Sequence, residues 1–251
     1  MKIDENKKNY ITDKLFLFNN KIYFEKDDKS IKVNDYNWSQ YLKDYGWAKL
    51  DLGWRKRLVN DNKYFKYGLL DCGANGDCLF HCIAEAFNDP FDPEKCIFDI
   101  KDIREIASKE ITEDNFDLIL DTYKLEEDTD EFIGDWNPSL IKSIEELRRE
   151  ITKCGDSFWG DHIILQLLQL KLEFNVIILN SCDNLYDKYT IKPMASDINK
   201  YQRTIILYYI EGLHFQLVGY FNKNKMEVLF DKNNVPPEIL NIYNLDCRSI
   251  S

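Results

Sequence analysis

The sequence predicts an α+β fold: a small central β-sheet between helical regions, preceded by an N-terminal extension. Three observations carry that expectation. Apolar residues recur at helical spacing in several segments between residues 78 and 172, and short runs rich in β-branched residues follow at 175–180 and 204–210. At the head of the helical block, Asn75-Gly76-Asp77-Cys78 reads as a turn, and Leu79, Cys82, Ile83, Ala86 and Phe87 then line one face of a helix. A cysteine therefore stands at the mouth of a buried helix.

Composition sets the outer bounds. The 251 residues are 44% hydrophobic and 14% aromatic, enough to bury a core in one large domain. No apolar run reaches the roughly 18 residues that cross a bilayer, and Met1-Lys2-Ile3-Asp4-Glu5-Asn6-Lys7-Lys8 lacks the apolar stretch of a secretory signal. The expectation is a soluble, intracellular, cytoplasmic protein that meets no membrane and acts as a monomer. Seven cysteines, odd in number and scattered, argue against a disulfide framework. With no Cys-x-x-Cys pair, and with His81, His162 and His214 far apart, no metal site or other cofactor is expected.

Charge is uneven along the chain. Residues 1–66 hold 15 Lys/Arg against 10 Asp/Glu, and the remainder holds 18 against 34, for a net of −11 overall. An acidic body argues against a nucleic-acid partner, whose phosphates call for Lys and Arg, and suits a basic protein partner. Abundant Asn, Lys, Ile and Tyr agree with an AT-rich genome, such as that of a large DNA virus or a protist.

Taken in order, residues 1–66 form the extension. Leu15-Phe16-Leu17-Phe18 and Lys21-Ile22-Tyr23-Phe24, joined by Asn19-Asn20, predict a β-hairpin. Trp38, Tyr41, Leu42, Tyr45, Trp47 and Trp54 predict either a cap on the main core or an aromatic binding surface. The short cluster Arg55-Lys56-Arg57 reads as a solvated face. The main domain, which the chemistry below makes the catalytic one, is expected over 67–222, and a packed C-terminal tail over 223–251. Within the domain, Ile100, Ile103, Ile106, Ala107 and Ile111 make a helical stripe with charges opposite, and a second helix is expected around Phe116–Tyr123. Residues 113–135 contain ten acids and one base, Lys124, which makes them either a solvated surface or a dock for a basic partner. Ser143 and Glu146 suggest a capping box, and Asp161 an N-cap for an apolar helix over 163–172. Strands are expected at 175–180, 204–210 and 214–220, the last two as an antiparallel hairpin, then at 226–230, with a helix started by Pro237.

The chemistry centres on Cys78. Unpaired N–H groups and the helix dipole at a helix start stabilise a thiolate, lowering an ordinary thiol pKa of about 8.5. Such a nucleophile needs a base and a group to orient it. His214 opens a strand after a glycine-containing turn, where it can project into a cleft; taken alone it is equally readable as a histidine packed at a strand end. Gln216, two places on, shares its face and offers an amide oxygen to accept the Nδ1–H bond that fixes the imidazole tautomer. Backbone N–H groups of the turn containing Gly76 and Asp77 converge as an oxyanion hole.

At these residues the chain resembles the ovarian tumour (OTU) domain cysteine proteases. Asn75-Gly76-Asp77-Cys78-Leu79-Phe80-His81 resembles that family's Asp-Gly-x-Cys-Leu-Phe/Tyr signature, Trp159-Gly160-Asp161 its Trp-Gly segment and Leu213-His214-Phe215 its His-aromatic motif, all in order between Tyr67 and Tyr220. The resemblance implies an OTU-like, papain-type fold with Cys78 as nucleophile and His214 as general base. It further implies a catalytic place for Asn75, substrate contacts at Trp159, Gly160 and Phe215, and ubiquitin or polyubiquitin as partner, cleaved after its C-terminal Gly. Two departures stand out. Asn75 replaces an Asp, and Gln216 replaces the usual Asp or Asn orienter. They leave open a catalytically weak ubiquitin-binding module, or a cysteine hydrolase acting on another ubiquitin-like modifier.

Overall fold

The computed structural model describes residues 7–58, 65–73, 76–89, 91, 96–132, 134–181, 189–192, 198–210 and 214–246. Its first strands, β1 (Asn9–Tyr10), β2 (Leu15–Phe18), β3 (Lys21–Lys26) and β4 (Lys29–Lys32), form an antiparallel sheet of their own. The β2–β3 hairpin turns at Asn19 and Asn20, with φ of 49° and 56°. Two left-handed residues are what a tight two-residue hairpin needs, and Asn tolerates that region. Leu15 and Ile22 are buried in the main core, so this sheet packs on the body of the protein.

The chain then adds α1 (Trp38–Tyr41), β5 (Trp47–Lys49) and α2 (Leu52–Arg57). Asp51 caps α2 by accepting from the N–H groups of Gly53 and Trp54. Trp38, Trp47 and Trp54 are all buried, and the Trp54 indole N–H donates to the Asn180 carbonyl at 3.0 Å. These aromatics are packing residues. Their indoles fasten the extension to the sheet.

The main sheet starts with β6 (Tyr67–Leu70), after which come α3 (Cys78–Phe87), α4 (Ile100–Lys109), α5 (Phe116–Asp128), α6 (Ile144–Thr152) and α7 (His162–Leu172). The stop and start residues act as the sequence suggests: Asp161 accepts from the Ile164 N–H, and Ser143 from that of Glu146. Glu146 itself reaches the Lys142 N–H, one residue short of a closed capping box. Strands β7 (Phe174–Asn180), β8 (Ile191–Lys192), β9 (Arg203–Ile210) and β10 (His214–Asn222) follow, then β11 (Lys225–Glu227), β12 (Leu229–Asp231) and α8 (Pro237–Asp246). The spatial order is β5-β6-β10-β9-β7-β8, with β11 on β10 and β12 on β9. Only β7 and β9 are parallel among the pairings described, and all seven residues of β7 are buried, which is why its centre, Val176-Ile177-Ile178-Leu179, is a continuous apolar run. The sheet is broader than the core segment alone predicts, because β5 comes from the extension and β11 and β12 from the tail.

Alternation along β10 divides the interior. Phe215, Leu217 and Phe221 face the core shared with α3, α4, α6 and α7, whereas Val218 joins Trp54, Leu58, Ile239 and Ile242 on the α2–α8 side. Full burial of a Leu or Phe on either face contributes roughly 1.5–3 kcal/mol. The sheet thus lies between helical regions, an α+β architecture. Among the described residues no helix is long and apolar enough to cross a membrane.

Candidate active site

Cys78 is the first residue of α3 and is 4% exposed. The turn before it is tightly fixed. Gly76 has φ of +78°, and a Cβ there would lie 2.3 Å from the Gly155 carbonyl oxygen, so both conformation and space demand glycine. Asn75, a catalytic candidate from the sequence, lies outside the described residues. Asp77 occupies the N-cap position but makes no capping bond; its carboxylate instead accepts from the Gly155 N–H at 2.9 Å and from Arg104. Asp77 therefore contributes side-chain chemistry that backbone direction alone does not require.

Arg104 is the largest departure from expectation. The sequence places it among the charges opposite the α4 stripe, yet it is fully buried. Its guanidinium donates to Asp77 Oδ1 at 2.8 Å through Nε and 2.5 Å through Nη2, and to the carbonyls of Gly76, Ile151 and Phe158 at 3.3, 2.9 and 2.9 Å. It also stacks over the Phe80 ring at 3.9 Å. One side chain thus ties the nucleophile turn to α6 and to the segment before Trp159. Five charge-assisted bonds justify burying the cation.

The Trp159–Gly160 segment lies against α3. A Cβ on Gly160 would come within 2.9 Å of Leu79 Cβ, so glycine permits the contact, while Trp159 is half-buried and donates its indole N–H to the Asp156 carbonyl at 3.0 Å. Phe215 is buried with its ring 4.6 Å from that of Tyr209.

The thiol and the imidazole come from adjacent elements. The Phe215 N–H donates to Cys78 Sγ at 3.5 Å, which sets the sulfur one peptide away from the His214 backbone. Burial pushes the Cys78 thiol up from its ordinary range, opposed by the backbone N–H groups of Phe215, Leu79 and Cys78 itself. The helix mouth alone was expected to lower it. In the structure desolvation wins, so the thiolate needs a nearby cation. His214 makes no hydrogen bond to that sulfur. Its Nε2 instead faces Asp71 Oδ1 at 3.7 Å. Gln216 is half-buried on the same strand face, opposite Tyr208, and its amide has no hydrogen-bonded partner among the described residues. Asp71 and Arg104 are the site residues that the sequence analysis misses.

His81, one turn along α3, has both ring nitrogens at acceptors: Nδ1 at the Cys72 carbonyl, 2.8 Å, and Nε2 at Glu85 Oε1, 3.3 Å. Two acceptors require two donors, hence an imidazolium, and the Glu85 carboxylate raises its pKa to about 9. His81 and Glu85 share with Asp71, Tyr45 and Trp47 a cavity of about 200 Å³ between the extension and α3. Among the described residues no three His, Cys, Asp or Glu side chains converge as metal ligands.

No family model matches the sequence, and no curated protein matches it. Solved structures do align with it. An ovarian tumour (OTU) domain in complex with ubiquitin aligns at 18% identity and a TM-score of 0.41, over 74% of this chain and 91% of that one. The viral OTU domain protease from Dera Ghazi Khan virus aligns at 11% identity and a TM-score of 0.40, over 62% and 83% of the two chains. An OTU deubiquitinase from Wolbachia pipientis wMel aligns at 13% identity and a TM-score of 0.39, over 72% and 98%. The chain is similar to these; its own residues carry the chemistry that follows.

Proposed function

We propose that this protein is a cysteine-type deubiquitinase that hydrolyses the isopeptide or peptide bond after the C-terminal Gly of ubiquitin. The observation that carries the reading is the 3.5 Å contact from the Phe215 N–H to Cys78 Sγ, because it brings a histidine-bearing strand end to a thiol at a helix start. In the reaction, His214 takes the thiol proton as Sγ attacks the carbonyl carbon, and N–H groups of the Gly76–Cys78 turn receive the oxyanion. The C–N bond then breaks, His214 returns the proton to the leaving amine, and a thioester remains. Water, activated by the same imidazole, hydrolyses it to the free carboxylate and the thiol. Catalytic hydrogen bonds are often long or unmade in an enzyme without substrate, so an imidazole borne by the residue next to the peptide that contacts the sulfur fits this role.

The substrate rests on the motif resemblance at Asn75–His81, Trp159–Asp161 and Leu213–Phe215, and on charge. Helix α5 carries Asp117, Asp121 and Asp128 on its exposed surface beside Leu118 and Leu125, which are 72% and 63% exposed. Leu118 and Leu125 are two turns apart and share a face. An acidic surface suits the basic recognition face and tail of ubiquitin.

The test is a ubiquitin whose C-terminus ends in an electrophile. An adduct on Cys78 that Cys78→Ala abolishes supports the reading; no adduct with ubiquitin or any ubiquitin-like modifier overturns it. Gln216, whose amide has no hydrogen-bonded partner among the described residues, favours a second reading, a ubiquitin-binding module with weak catalysis, which predicts ubiquitin binding without an adduct.

A further inference from the structure

We infer that Asp71, not Gln216, is the positioning residue that orients His214 for proton transfer. This rests on the proposed roles of Cys78 and His214 and adds a residue to that site. Three observations support it. Asp71 Oδ1 lies 3.7 Å from His214 Nε2, and it also accepts the Gly73 N–H at 3.2 Å, which fixes the carboxylate's direction. The Asp71 backbone is held in turn, because its N–H donates to the Gly46 carbonyl at 3.1 Å, beside the pairing of β5 with β6. The sulfur, finally, sits against the backbone next to His214, through the Phe215 N–H. Nδ1 is the ring nitrogen nearer the backbone and Nε2 the farther one. A carboxylate on Nε2 therefore leaves Nδ1 as the nitrogen available to Sγ, with nucleophile and carboxylate on opposite ring nitrogens as in other triads.

A carboxylate does more than hold the ring. Its charge stabilises the imidazolium that forms when the thiol gives up its proton, which a neutral amide does poorly. The other titratable groups on elements packed near His214 are Cys78, His81 and Glu85 on α3, Cys72 after β6, and Tyr208 and Tyr209 on β9. Of these, His81 titrates near 9, above the range in which a thiolate–imidazolium pair is read.

The experiment is the rate of Cys78 alkylation by iodoacetamide against pH in the full chain, which needs no ubiquitin and so can fail separately from the proposed substrate. Asp71→Asn is nearly isosteric, at a side chain 66% exposed, and is expected to leave the melting temperature in place. An exposed carboxylate beside an imidazolium stabilises it modestly, so between about pH 5 and 8 the alkylation rate of Asp71→Asn should fall roughly two- to fivefold. At high pH, where the thiol ionises unaided, the two rates should meet. On the hydrolysed substrate the loss should appear in kcat with KM unchanged, and Asp71→Glu, which keeps the charge, should recover most of it. Superimposable pH profiles for wild type and Asp71→Asn overturn the inference. So does a faster Asp71→Asn enzyme, which would make the contact a latch holding the imidazole off the thiol.

Discussion

Cys78 stands at the end of a turn held by three hydrogen bonds from one buried guanidinium, which also reaches the Ile151 and Phe158 carbonyls, whereas among the described residues His214 opens a strand with one carboxylate 3.7 Å from its outer nitrogen. The contrast divides the labour of the proposed reaction. Oxyanion donors act by pre-set direction, and a turn that cannot move supplies them without reorganisation when the substrate arrives. A base must take and return a proton at two different atoms, and a side chain with one restraint can swing between them. Rigidity on one side and freedom on the other are both useful here.

Removing the lock is the most drastic way to break that contrast. Arg104→Met leaves the Asp77 carboxylate part-buried without its cation and frees the Gly76, Ile151 and Phe158 carbonyls. Breaking a buried pair from one side costs about 3–5 kcal/mol. Denaturant unfolding should show a loss of that size; a change below about 1 kcal/mol would mean that the guanidinium is not what fixes the turn.

A smaller effect is expected at the substrate surface. Changing Asp117, Asp121 and Asp128 together to Asn should lower kcat/KM for ubiquitin substrates by up to about tenfold and flatten its salt dependence. Unchanged values in steady-state kinetics would remove α5 from substrate capture.

The smallest effect belongs to His81, which ties the locked side of α3 to the Cys72 carbonyl. Its folded pKa is raised from 6.5 to about 9 by Glu85, so the imidazolium contributes stability that is fully present below 6.5 and is lost as pH rises through about 9. The group is about a third exposed, and water screens it, so the change should be modest. Thermal melts across that window should fall for wild type and stay flatter for His81→Gln; equal slopes would show that the pair contributes nothing.

Local signals made the nucleophile side legible in advance. Gly76 and Asp77 before Cys78, an apolar face after it, the Asp161 cap and the Asn19-Asn20 hairpin are all written in short windows of sequence, and each is present. Arg104 carries a weaker signal: helical spacing puts it at the edge of the stripe, next to Ile100, Ala107 and Ile111, where an arginine ordinarily keeps its head in water. Its partners come from three separate segments, however, and no window contains them. Asp71 was out of reach for the same reason. It meets His214 only because β6 pairs antiparallel with β10, and the register Leu70↔Leu217 is a property of the assembled sheet. The thiol's raised pKa also depends on assembly: the helix start is local, while the burial that overrides it comes from the strand laid across it.

The central claim is that Cys78 and His214 act together on the ubiquitin C-terminus. Turnover of ubiquitin carrying a fluorogenic amide at that terminus measures it directly, with wild type, Cys78→Ala and His214→Ala compared at matched melting temperature. Measurable hydrolysis by wild type and background rates for both variants is the predicted result. Hydrolysis that survives in Cys78→Ala would contradict it.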